Sequence, residues 1–348
     1  MDKKLNANLL ILAWFDHNKR ILPWRNTKDP YKIWLSEIIL QQTRVQQGIA
    51  YYESFISHFP TLEMLARADE NQVLKLWQGL GYYSRARNLH ATAKYLYLHE
   101  DSIFPDNSQD LKKLKGIGDY TASAIASICY NEVTPALDGN MYRVFARYFG
   151  LYDDISEPAT KKKFFALGKE IIDRERPGDF NQAVMDLGAM ICTPQNYKCE
   201  ACPLNESCFA LQKNVQNKLP VKLKKITIKN RYLHFIYIHH QHLFLLMQRD
   251  DKDVWAKLFS LPKVESRKAD DVPIFHRDYD DKCRFLYEET HLLSHQRLHI
   301  KFWELEVNEQ SLSDLKAFWK AEIVSYQDLE RYALPKPIEK FMDLRIFD

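Results

Sequence analysis

No apolar run in the sequence approaches the ~20 residues that a membrane-spanning helix needs, so neither a transmembrane helix nor a membrane partner is expected. A cleavable leader is not expected either. Leu9–Leu12 and Ala13–Trp14–Phe15 lie behind Lys3 and Lys4 like a signal core, yet Asp16, His17, Lys19 and Arg20 follow at once. No small-residue cleavage site follows them, and an amphipathic first helix is the expectation. Charge of one sign is scarce too: 49 Lys and Arg against 46 Asp and Glu leave a net charge of +3. That balance permits a polyanionic partner without demanding one, and a basic surface would have to come from local clustering. Internal repeats and low-complexity tracts are absent. The expectation is a soluble, intracellular protein of the cytoplasm. There disulfides are not favoured, and the six cysteines stay available as metal ligands.

With 46% hydrophobic residues over 348 positions, the chain has material for about two domains at the usual ~150 residues each. From Asn6 to about Lys213 the pattern is helical almost throughout. Thr61–Ala68, Asn71–Leu76, Ser84–Leu98 and Thr160–Arg174 repeat apolar residues at three- and four-residue spacing. Turn signals part them at Phe59–Pro60, Phe104–Pro105–Asp106, Gly116–Ile117–Gly118, Asp138–Gly139 and Arg176–Pro177–Gly178. The texture then changes. Asn214–Lys225 is polar and Lys-rich, and beyond it Tyr232–Ile238 and His242–Met247 read as a β-hairpin. Lys282–Tyr287 and Arg297–Glu306 add strand candidates. The expected organisation is an all-α domain over 1–213, a linker over 214–228 and a smaller α/β domain over 229–348.

Four of the six cysteines fall together as Cys192, Cys199, Cys202 and Cys208. Four thiolates in so short a segment can wrap one metal centre, iron–sulfur or zinc by ligand softness alone. Structural zinc sites, however, usually pair their cysteines two to four apart on both sides. Cys129 and Cys283 stand alone and read as core thiols. Leu111–Ala122 reads as helix, tight turn and helix. Gly116 and Gly118 would let the backbone approach a ligand, with the second helix offering unsatisfied N–H groups to a phosphate. A compact helix connection would look the same locally.

Ile33–Thr43 contains an anomaly. The helix is apolar around nearly its whole circumference, yet Glu37 sits in its middle. A buried carboxylate needs a partner or a purpose, and desolvation makes it hold its proton near neutrality. A second carboxylate, Asp138, precedes the helical stretch Met141–Phe149, where an N-cap role is the plain alternative. Together the two supply what glycosidic cleavage requires: an acid for the leaving base and an anion beside an oxocarbenium-like sugar.

Leu22–Arg25, Trp34–Thr43, Gly79–Arg85, Leu137–Asn140, Phe180–Ala183 and Met185–Gly188, with the 6-2-5 cysteine spacing, resemble the MutY-type adenine DNA glycosylases. These are helix-hairpin-helix proteins of the endonuclease III superfamily with a C-terminal Nudix-like domain. The match covers nearly all of the first domain. The resemblance implies a [4Fe–4S] cluster on Cys192, Cys199, Cys202 and Cys208, with a structural and DNA-orienting part rather than a catalytic one. It implies Glu37 as general acid, Asp138 as stabiliser of the cationic intermediate, and Tyr120 and Asn140 as positioning groups. Trp24, Arg25 and Gln182 would form the adenine pocket. Gln42, Thr43, Leu80 and Tyr82 would probe the stack around the opposing base, and Gly116 and Gly118 would hold backbone phosphate. The partner it implies is double-stranded DNA carrying A:8-oxoguanine or A:G mispairs, met as a monomer. Two departures stand out: Lys198 is the lone basic residue between the first two cysteines, and Lys115 replaces the usual Pro.

Within the superfamily the rival is an endonuclease III-like pyrimidine glycosylase with lyase activity. It needs a lysine nucleophile where this chain has Tyr120, and a phenol cannot form an imine. In the second domain, Trp255–Pro262 resembles the Nudix-like module, but Tyr287–Glu289 is isolated and lacks the carboxylate-rich helix that a magnesium-dependent hydrolase needs. His291–His295 resembles the loop that senses 8-oxoguanine, keeping Ser294 and His295 with Leu293 where Phe is usual. A non-catalytic DNA-binding module is the answer of another class, and retention of both carboxylates argues against it.

Overall fold

Pro30 occupies a helix's first turn, where its missing N–H costs nothing, and Asp29 caps that helix by accepting from Tyr31 N at 3.0 Å. The computed structural model in which this is seen describes residues 3–224, 227–250, 253–269, 271 and 274–346. Its helices are α1 (Lys3–Asn18), α2 (Pro30–Leu40), α3 (Val45–His58), α4 (Leu62–Arg67), α5 (Glu70–Leu76), α6 (Ser84–His99) and α7 (Ser108–Leu111). They continue as α8 (Asp119–Tyr130), α9 (Gly139–Phe149), α10 (Pro158–Ile171), α11 (Pro177–Met190), α12 (Phe209–Gln212), α13 (Glu309–Trp319) and α14 (Lys336–Ile346). The strands are β1 (Lys229–His240), β2 (Leu243–Gln248), β3 (Phe259–Ser260), β4 (Lys263–Ser266), β5 (Arg284–Leu292), β6 (Gln296–Glu306) and β7 (Glu322–Ser325). Among the described residues no helix is long and apolar enough to cross a membrane.

The chain divides into two compact units, Met1–Arg67 with Asn88–Lys224, and Ala68–Arg87 with Lys225–Asp348. In the first, α9 buries Met141, Val144, Phe145 and Tyr148, a three-and-four spacing that makes one apolar stripe. That stripe meets Ile11 and Phe15 of α1, Phe164 of α10, and Phe180, Val184 and Leu187 of α11. The hairpin forms, with a shorter first helix than Leu111–Lys115 suggested: α7 stops at Leu111, and a turn through Gly116 (φ 83°) reaches α8, capped at Gly118. At Gly116 a Cβ would sit 2.7 Å from Asn88 Cβ, so the close approach and the left-handed backbone both call for glycine.

Two stretches depart from the expected boundaries. Residues 214–224, expected as the start of the linker, pack on the first unit: Leu219 is buried in its core, flanked by Val215 and Val221. Arg147 Nε donates there to the carbonyls of Gln216 (2.9 Å) and Leu219 (3.1 Å). The polar composition of this stretch hid a few apolar anchors. Residues 68–87, expected within the first domain, belong to the second unit. There the Gln78 amide donates to Glu339 Oε1 at 2.7 Å and Arg87 Nη1 donates to the Ala256 carbonyl at 2.7 Å.

The sheet of the second unit runs β3-β2-β1-β6-β5, with β4 pairing β1 and β7 pairing β2. β1 and β6 are parallel, from Lys229 opposite Gln296 to His239 opposite Glu306, and the other pairs are antiparallel. The expected hairpin turns at Gln241–His242, and Gln241 is left-handed (φ 52°). Glu288 and Glu289 are neighbours on strand β5 and so face opposite ways, and Glu289 pairs with Lys340 at 3.0 Å. They form no carboxylate cradle.

Candidate active site

Glu37 is one turn from the end of α2, 9% exposed, with Trp34, Leu35 and Ile38 buried about it. It lines a cavity of about 1290 Å³ in the first unit. The same cavity is lined by Trp24, Arg25, Gln42, Gly118, Tyr120, Asp138 and Gln182, residues drawn from three distant stretches. Thr43, Gly116 and Asn140 stand outside its lining, and Leu80, Tyr82, Ser294 and His295 belong to the second unit.

Burial raises the Glu37 carboxyl to about 7; a hydrogen bond from Tyr120 opposes this, Asp138 adds to it, and Arg25 opposes it more weakly. The Tyr120 hydroxyl also donates to Met185 Sδ at 3.1 Å. Burial raises the Asp138 carboxyl too, but its donors differ. Asp138 caps α9: Oδ1 accepts from Met141 N at 2.7 Å and Oδ2 from Asn140 Nδ2 at 2.6 Å. Both Asp138 oxygens accept from N–H groups at a helix N-terminus, which favours its charged form and opposes the effect of burial, whereas the hydrogen bond that favours a charged Glu37 comes from the Tyr120 hydroxyl.

Asn140 is in turn fixed by Arg143, whose Nη2 donates to Asn140 Oδ1 and to the Gly188 carbonyl, both at 2.7 Å. Arg143 Nε donates to the Cys192 carbonyl at 2.6 Å, joining the cysteine loop to the α9 N-terminus. Trp24 packs edge-on to Tyr52 at 5.1 Å and forms a wall. The Gln182 side chain has no hydrogen-bond partner among the described residues, leaving its amide free for a base edge. Arg25 differs: its guanidinium forks onto Asp186, Nη1 to Oδ2 at 2.5 Å and Nη2 to Oδ1 at 2.7 Å.

Asp186, fully buried, also accepts from Arg20 Nε at 2.7 Å and Arg20 N at 3.2 Å. Arg20, Asp186 and Arg143 were given no role in the sequence reading. Asp186 carried the same signal as Glu37, a carboxylate inside an apolar helical run. At the cavity's edge lie Lys112, Lys161, Lys162 and Lys169, the local cationic cluster that the net charge conceals; Lys112 and Lys161 both pair with Asp119.

Cys192, Cys199, Cys202 and Cys208 line one small cavity with Arg147, and none is in a disulfide. Arg147 is 3% exposed; Nη1 donates to the Thr193 carbonyl at 2.7 Å and approaches Cys192 Sγ at 3.4 Å. Among the described residues no three His, Cys, Asp or Glu side chains are gathered so as to hold a metal ion. In the second unit Ser294 and His295 form the exposed turn between β5 and β6, and the Tyr82 hydroxyl hydrogen-bonds with Ser294 Oγ.

Residues 35–170 match the family model of the HhH-GPD superfamily of base excision DNA repair proteins, and residues 233–344 match that of the NUDIX domain. An adenine DNA glycosylase of Buchnera aphidicola subsp. Schizaphis graminum (strain Sg) is 36% identical over 96% of this chain and 97% of its own length. The human adenine DNA glycosylase is 40% identical over 60% of this chain and 40% of its own length. Among solved structures, a thermostable thymine-DNA glycosylase aligns with 27% identity and a TM-score of 0.56, over 61% of this chain and 97% of that one. An endonuclease III trapped as a covalent intermediate with DNA shares the fold, with 19% identity and a TM-score of 0.52 over 62% and 99%. The class is therefore a helix-hairpin-helix DNA glycosylase that carries a Nudix-type domain. The chain belongs to the adenine DNA glycosylases of base excision repair.

Proposed function

We propose that this enzyme, as a monomer, flips adenine out of A:8-oxoguanine and A:G mispairs in double-stranded DNA and hydrolyses its glycosidic bond without lyase action. The observation that carries the reading is that Glu37, whose carboxyl burial raises to about 7, and Asp138, whose two oxygens are held by N–H donors, line one cavity. Adenine leaves poorly until a ring nitrogen is protonated. Glu37 supplies that proton, and the Asp138 carboxylate, fixed by Asn140 and Met141 N–H, faces the developing oxocarbenium. Tyr120 holds the Glu37 carboxyl in place. Trp24 and Gln182 receive the flipped base, Arg25 stiffens the pocket wall, and Gln42, Thr43, Leu80 and Tyr82 address the opposing base. Filling the stack offsets part of the few kcal/mol that flipping costs, on the order of what base extrusion requires. The Gly116–Gly118 turn and the N-terminus of α8 take a backbone phosphate. Ser294 and His295 read the added oxygen and N7 hydrogen of 8-oxoguanine.

The four cysteines and Arg147 fit a [4Fe–4S] cluster. The 6-2-5 cysteine spacing departs from the two-to-four pairing usual for zinc, and a buried guanidinium beside the four thiols suits an anionic centre. When bound, the cluster supplies structure and a docking surface, since hydrolysis needs no electron transfer. The covalent order is a glycosylase domain, a short linker and a Nudix-like domain, the first unit reaching residue 224.

The test is single-turnover cleavage of a labelled A:8-oxoguanine duplex, with and without alkali. Scission appears only after alkali, and Glu37→Gln slows adenine release by ~10²–10⁴ while mismatch binding persists. Asp138→Asn does similar damage. Wild-type rates in either variant remove the two-carboxylate reading, and efficient borohydride trapping of a protein–DNA adduct removes the monofunctional one.

A further inference from the structure

We propose that Asp186 is a positioning residue for the acid step: by neutralising Arg25 and Arg20 at the cavity wall, it keeps Glu37 able to hold its proton. The inference rests on the reading of Glu37 as the general acid.

Asp186 of α11 is fully buried and binds two arginines. Burial alone works against its charge, and the two guanidinium partners reverse that, holding its carboxyl below the usual range. Both arginines line the cavity that Glu37 lines, and the Arg25 charge pulls Glu37 toward ionisation. An acid catalyst cannot afford an uncompensated cation beside it. Asp186 accepts from both Nη atoms of Arg25, so the wall presents a nearly neutral pair instead of a bare cation. The other groups facing Glu37 are accounted for. From α8 come Tyr120, which hydrogen-bonds to it, and the Cys129 thiol, which burial pushes up to about 12 and so leaves neutral. The N-cap of α9 presents Asp138, and Tyr52 of α3 is turned onto Trp24. Among these, the Arg25 charge alone opposes protonation through space, and Asp186 is the carboxylate that pairs with it.

The sign follows. Catalysis needs protonated Glu37, so the rate falls as pH rises through about 7. Asp186→Asn leaves both guanidinium charges uncompensated, Glu37 ionises earlier, and the descending limb moves to lower pH. Arg25→Gln removes the cation while Asp186 keeps Arg20, and the limb moves to higher pH. Arg25→Lys keeps the charge and leaves the limb near the wild type's. Because Arg25 acts more weakly on Glu37 than Tyr120 or Asp138, each shift is smaller than the ~1–3 units of a direct partner.

The experiment is single-turnover adenine release against pH at fixed ionic strength and saturating enzyme, with melting curves for each variant. Opposite displacements by Asp186→Asn and Arg25→Gln support the inference, because a structural defect lowers the rate without moving the limb. Should Asp186→Asn fail to fold, Arg25→Gln against Arg25→Lys decides alone. A folded Arg25→Gln whose limb overlays the wild type's overturns the inference. Glu37→Gln separates the two levels: if it retains the wild-type rate, the acid reading itself falls, whereas if it is inactive and the limbs coincide, only the role of Asp186 falls.

Discussion

Gly188 sits inside α11, where alanine would ordinarily be worth ~1 kcal/mol of helix propensity. A Cβ at that position lands 2.5 Å from Asn140 Cβ, 2.9 Å from its Oδ1 and 3.0 Å from its Cγ. Asn140 cannot simply turn away, because Nδ2 is bound to Asp138 and Oδ1 to Arg143. Non-bonded carbons settle near ~3.5–4.0 Å, so Gly188→Ala must push the Asn140 side chain by about 1 Å. Overpacking of that kind costs ~1–3 kcal/mol, and the propensity gain leaves a net loss of about 0–2 kcal/mol. The rate suffers more than the fold. A hydrogen bond to a charged group is worth ~1.5–3 kcal/mol, so freeing Asp138 from Asn140 slows adenine release by about tenfold to a hundredfold. Single-turnover release from an A:8-oxoguanine duplex and a thermal melt measure the two halves. A variant that melts higher than the wild type and cleaves at its full rate would refute the reasoning, since Asn140 would then be neither crowded nor needed.

Three further outcomes are expected. Anaerobically purified protein contains iron and acid-labile sulfide near about four each per chain; stoichiometric zinc without sulfide ends the cluster assignment. Glu37→Gln stabilises the protein at neutral and higher pH: the native carboxyl binds its proton more tightly than the unfolded one, so the wild type loses stability as pH rises from about 4.5 to about 7. By linkage the gain is about 3 kcal/mol at most and vanishes in acid; equal melting temperatures at pH 8 contradict it. Ser294→Ala with His295→Ala lowers the affinity ratio of A:8-oxoguanine over A:G by about tenfold to a hundredfold at fixed salt. An unchanged ratio removes the lesion-reading role from that turn.

The sequence by itself determined the class of fold and the class of enzyme. Period-3.6 runs marked α4, α5, α6 and α10, β-prone runs marked β1, β2 and β6, and both signals follow from backbone geometry within one element. Glu37 betrayed itself because a carboxylate in an all-round apolar helix violates the local rule, and a violated local rule marks a function or a strain. Asp186 broke the same rule and went unread. Its meaning lies in Arg20 and Arg25, 166 and 161 residues away along the chain, and only packing brings such partners together. Asp138 looked like a turn residue and is one; that it also shares a cavity with Glu37 was decided where α2 meets α8 and α9 begins. The same holds at the boundaries. Composition made 214–224 look like linker because its buried anchors are few, and contiguity placed 68–87 with the first domain although its contacts lie mostly within the second unit. Local periodicity tells which face of an element is apolar, but the partner of that face is settled by whatever burial, pairing and charge balance the whole chain can satisfy at once.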